Sequence, residues 1–114
     1  MKKLVWLLAL GTGLACAQPN DEVERGRQLF MSNGSSSCHG TAGQGGERSG
    51  APRIAPDPYP FEAFVMMVRN PREAMPRFDE RFLSDEQLRA IHHYLAAVPK
   101  NPSSKEIPVL QKLR

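Results

Sequence analysis

Residues 32–60 show no sustained hydrophobic period, in a chain of only 114 residues. The stretch is rich in Gly, Ser and Pro and takes up roughly a quarter of the length. A compact domain rarely carries so long an irregular segment unless the segment has a task, such as enclosing a ligand. A domain this small also has a thin core and often needs a metal or cofactor as a staple. The fold is thereby restricted to a few short elements arranged around whatever this segment wraps.

Near its start the segment reads Ser35-Ser36-Ser37-Cys38-His39-Gly40. A Cys-x-x-Cys-His run is the attachment sequence of c-type haem, in which two thiols add across the porphyrin vinyl groups and the adjoining histidine binds iron. Here serine occupies the first cysteine position. A hydroxyl is a far poorer nucleophile than a thiolate, so Ser35 forms no thioether. One candidate covalent link, Cys38, and one candidate iron ligand, His39, remain.

The first residues read as an export signal. Lys2 and Lys3 precede an apolar run over 4–10, and Ala15-Cys16-Ala17 gives the small-x-small pattern of a cleavage site before Gln18. The run is too short to span a bilayer as a helix. The competing reading is a lipoprotein anchored through Cys16, but Gly13 stands where a lipobox carries Leu. Residues 1–17 are thus expected to be removed, leaving a domain over 18–102 and a C-terminal tail over 103–114, with the protein periplasmic or otherwise exported. Loss of Lys2 and Lys3 reduces fifteen basic side chains to thirteen, against twelve acidic ones, a net charge of +1. Such a balance, with few aromatics, gives no support for nucleic-acid binding. Cys38 becomes the single cysteine, and an odd cysteine in an exported protein points to a reactive or modified thiol.

Three helices are legible. The first covers 21–31, with Asn20 or Asp21 as cap. The second covers 60–69, where Phe61, Phe64, Val65 and Val68 recur at helical spacing and Pro71 enforces a stop. The third follows the capping box Ser84-Asp85-Glu86-Gln87 and buries Leu88, Ile91, Leu95 and Val98 before Pro99. The intervening stretch 70–83 is irregular and contains Met75-Pro76. No strand is evident. Met66 and Met67 read as core filler, while His92 and His93 read as surface or helix-end residues, since helix neighbours point about 100° apart and cannot grip one ion.

In this order the elements resemble a class I c-type cytochrome of the monohaem bacterial type, over about residues 22–98. The residues that carry the resemblance are Gly26 and Phe30 on the first helix, Cys38-His39-Gly40, Pro52 and Ile54 in the loop, Met75-Pro76, and Tyr94-Leu95 on the last helix. The resemblance implies an all-α, small cytochrome c fold, with three to four helices wrapped around one haem and the N- and C-terminal helices crossing. It further implies His39 as proximal and Met75 as distal iron ligand, Cys38 as covalent attachment, the Pro52 carbonyl oriented to His39, and Ile54 packed on the haem. His with Met gives iron a raised potential suited to passing one electron. Arg53 is either a partner of a haem propionate or a solvated arginine.

The function expected is a one-electron carrier, monomeric and not an enzyme, that meets redox partners through small, transient contacts. Ser35 leaves three cases open: attachment through Cys38 alone, haem held by coordination and packing or not at all, or a deliberate replacement that prevents a disulfide. Other function classes also stand: a haem-based gas binder with a labile Met75, a haemless secreted domain with Cys38 as free thiol, and the cytochrome subunit of a periplasmic dehydrogenase or oxidase.

Overall fold

A computed structural model describes residues 18–103 and 105–112. The signal-peptide and Cys16 readings lie outside those residues. Five helices follow in order: α1 (Pro19–Ser32), α2 (Ser35–His39), α3 (Phe61–Arg69), α4 (Asp85–Ala97) and α5 (Pro108–Gln111). Among the described residues there is no strand, so the fold is the small all-α fold expected from the sequence. No helix among them is long and apolar enough to cross a membrane.

Helix α1 begins two residues earlier than its sequence suggested. Gln18 is the N-cap without a side-chain bond, and Pro19 sits at the first helical position, where a missing N–H costs nothing. Asn20 and Asp21 therefore fall inside the helix rather than capping it. Helix α4 follows its signals closely. Gln87 N–H donates to Ser84 Oγ at 3.2 Å, and Ser84 N–H donates to Gln87 Oε1 at 2.9 Å. The C-terminal tail contains the single turn α5 behind Pro108.

Helices α1 and α4 form the main helix pair, and Gly26 lets them meet. Phe30 and Tyr94 pack beside it with ring centroids 5.8 Å apart. Tyr94 then donates its hydroxyl to Thr41 O at 2.7 Å, tying the helix pair to the irregular segment. Phe30, Ala55, Val68, Leu83, Leu88, Ile91 and Leu95 make one buried cluster drawn from both long helices, α3 and the two connections. Surface pairs flank it, Arg25–Glu86 at 2.8 Å and His93–Glu22 at 3.0 Å. Exposed pairs of this kind contribute little to stability.

Two side-chain expectations fail on α3 and α4. Met66 is 67% exposed and Met67 37%, because Phe61, Phe64, Val65 and Val68 take the inward face. His92 is half-buried rather than fully exposed: its Nε2 bonds Tyr59 O at 2.8 Å, and its ring lies edgewise to Phe61 and Phe64.

Candidate functional site

The turn that ends α1 determines where the Cys38-His39 pair sits. Gly34 N–H bonds Met31 O at 3.1 Å, and Asn33 Nδ2 donates to Leu29 O at 2.8 Å. Gly34 itself has φ 76°, a left-handed conformation that glycine adopts without strain. The chain turns there into α2, a single short helix that the irregular segment was not expected to contain. Ser35 opens it and Cys38 lies three residues on, so the two occupy neighbouring positions one turn apart. Ser35 is half-buried, and Cys38 is an exposed free thiol. Ser37 Oγ lies 3.9 Å from Cys38 Sγ and also donates to Gly34 O.

His39 is the only buried polar or charged residue among those described, at 8% exposure. Its Nδ1 is 2.9 Å from Pro52 O. A carbonyl oxygen only accepts, so Nδ1 must carry a proton, and in the neutral tautomer with that proton the lone pair lies at Nε2. Among the described residues Nε2 makes no hydrogen bond. A metal-binding imidazole needs this arrangement, with one nitrogen anchored and the other available.

The loop after α2 holds both sides of this pair. Gly45 N–H bonds His39 O at 2.8 Å, and Ser49 Oγ donates to Cys38 O at 2.5 Å. Ile54 and Ala55 N–H both reach Gly43 O, at 2.8 and 3.1 Å. Pro52 is exposed while its carbonyl bonds His39. Ile54 is half-buried against the core. Arg53 donates from Nε to Ala55 O at 2.7 Å, which ties down a side chain expected to be solvated or propionate-paired.

Met75 comes from the connection between α3 and α4 and is half-buried against the core with Phe78. Behind it, Asp79 is held below its usual carboxylate range, first by the side-chain bond from Arg81 and then by the Arg81 backbone. Neither His92 nor His93 gathers other ligands: no group of three or more His, Cys, Asp or Glu able to hold a metal occurs among the described residues. Sequence reasoning missed Ser49 and Arg69. Ser49 carries no signal, because its role depends on the loop folding back onto Cys38; Arg69 showed only as a basic residue in a last helical turn.

The fold is that of a c-type cytochrome, and the site has the Cys-His pair such a fold employs, with Ser35 in place of the first attachment cysteine. A family model described as cytochrome c oxidase, cbb3-type, subunit III matches residues 21–95, from α1 almost to the end of α4, and the chain belongs to that family. It is a haem-binding electron carrier, with redox proteins as partners, rather than a catalytic enzyme. No curated protein and no solved structure matches the chain significantly. The donor set fits a c-type haem: an anchored imidazole with an open nitrogen, an exposed thiol beside it, and a half-buried thioether from a separate segment.

Proposed function

We propose that the chain is an exported one-electron carrier with one haem, bound between His39 and Met75 and attached by a single thioether from Cys38. The domain covers 18–102 after removal of residues 1–17, and the protein acts in the periplasm as a monomer. The observation that carries this reading is the His39 Nδ1–Pro52 O bond beside an exposed Cys38. Bound haem supplies an iron that takes up and releases one electron.

The chain's own residues divide the remaining work. Pro52 O fixes the tautomer and plane of the His39 ring. Cys38, exposed at the last turn of α2, would supply the thiol whose S–H adds across one vinyl group, sulfur to one carbon and hydrogen to the other. Ser35 leaves the second vinyl unreacted. The soft thioether of Met75 favours the reduced metal. Ile54, Val65 and Phe64 are half-buried apolar groups on the core, and Ile54 would supply apolar packing for the bound group.

Mass spectrometry of the purified protein with its pyridine haemochrome spectrum tests this directly. A mass increased by one haem and a spectrum of one saturated vinyl are expected. Colourless protein from cells able to mature cytochromes overturns the reading. Replacing Met75 by Ala should abolish the sulfur-to-iron absorption band of the oxidised protein, and a persisting band removes Met75 from the ligand set.

The family description favours a second reading, in which the carrier is a subunit of a terminal oxidase. Stable co-purification with an oxidase core distinguishes it from a freely diffusing carrier.

A further inference from the structure

Arg69 ends α3 with only 16% of its side chain exposed, and it reaches across the connection that bears Met75. Its Nη1 donates to Phe78 O at 3.0 Å, and its Nη2 donates to Asp85 Oδ1 at 2.5 Å. Asp85 is the first residue of α4, so one guanidinium joins the end of one helix, the connection and the start of the next. The Phe78 N–H is held as well, by Val68 O at 3.2 Å. Both backbone polar groups of Phe78, three residues after Met75, are thus secured by the last turn of α3. Phe78 and Met75 pack on the same core cluster. The connection contains no helix of its own, and Glu73 in it has φ 58°, a left-handed conformation unfavourable for a residue with a side chain. A charge-assisted bond to a half-buried carbonyl is among the stronger restraints available to such a segment.

The geometry points to Arg69 as a positioning residue for the Met75 thioether. By clamping the Phe78 carbonyl it determines how firmly Met75 is presented to iron and how readily an outside ligand displaces it. The inference rests on Met75 being the distal ligand. Arg69 acts only through the Phe78 backbone, and Asp85 orients its guanidinium.

The test uses the holoprotein and the variants Arg69→Gln, Arg69→Lys, Asp85→Asn and, as a control, Arg25→Gln, which breaks the exposed Arg25–Glu86 pair on the α1–α4 surface. Imidazole is titrated against the oxidised proteins while the sulfur-to-iron band is followed, and amide exchange is measured at Phe78. R69Q should bind imidazole about tenfold more tightly, as loss of a hydrogen bond from a charged donor implies, and should exchange faster at Phe78. R69K and D85N should fall between R69Q and the parent, with R25Q unchanged. Equal imidazole affinity in R69Q and the parent, both showing the band, overturns the role of Arg69 alone. If R69Q fails to fold, parental affinity in both R69K and D85N overturns it equally. A parent lacking the band overturns the Met75 assignment and this inference with it.

Discussion

A β-carbon on Gly26 would lie 1.9 Å from the carbonyl oxygen of Ala90. Helices α1 and α4 therefore approach so closely that position 26 has no room for even a methyl group, and the atom in the way is backbone, which cannot rotate aside. The contact joins the two ends of the domain and holds Phe30 against Tyr94. Through the Tyr94 hydroxyl it also reaches the loop that carries Gly43 and, further on, Pro52.

Gly26→Ala should destabilise the protein by about 3 kcal/mol, in the upper range for overpacking. The gain in helix propensity, about 1 kcal/mol, offsets only part of the effect. Denaturant unfolding monitored by far-UV circular dichroism measures it; unchanged stability would mean that the helices are further apart.

Restoring the second thiol with Ser35→Cys should add a second thioether, since positions 35 and 38 lie one turn apart on α2. The pyridine haemochrome should move to the two-link form, and haem retention in acid or denaturant should rise. Equal retention in the two proteins contradicts the weakened anchor.

Pro52→Ala keeps the carbonyl that holds His39. Haem uptake should survive, with a stability loss of under about 1 kcal/mol from the freer unfolded chain. Loss of haem binding in this variant would mean that the proline ring, rather than its carbonyl, matters.

Ser84→Ala removes the acceptor for Gln87 N–H at the start of α4. A loss of about 1 kcal/mol is expected. Thermal unfolding against the parent reads it, and because α4 carries much of the buried cluster the transition should shift as a whole.

The Glu24 carboxyl is lowered from 4.5 to about 2, first by the side-chain bond from Arg27 and next by that from Gln28. A depressed carboxylate contributes stability above its unfolded value and loses it as pH falls through the folded one, so this contribution fades between about 4.5 and about 2. Arg27→Gln should return the Glu24 midpoint, followed by carbon-13 NMR, towards its ordinary value. A midpoint that stays near 2 would assign the shift to Gln28 instead.

What the sequence determined by itself was local. The capping box before α4, the stop at Pro71, the apolar spacing of α3 and the Cys38-His39-Gly40 run each act within about one turn of chain, so neighbouring residues suffice to reveal them. The same locality explains the misses. Pro19 and Asn20 compete for one helix start, the outward side of α3 at Met66 depends on which face α4 covers, and His92 meets Tyr59 only once α3 lies beside α4. The Pro52 carbonyl at His39 and Gly26 at the helix crossing were expected only through the family resemblance, and tertiary structure alone decided that Ser49 caps Cys38 O and that Arg69 holds Phe78. Each of these joins residues whose separation along the chain carries no periodic signal, so it depends on how the loops and helices meet in space around the buried Phe30, Leu88 and Leu95.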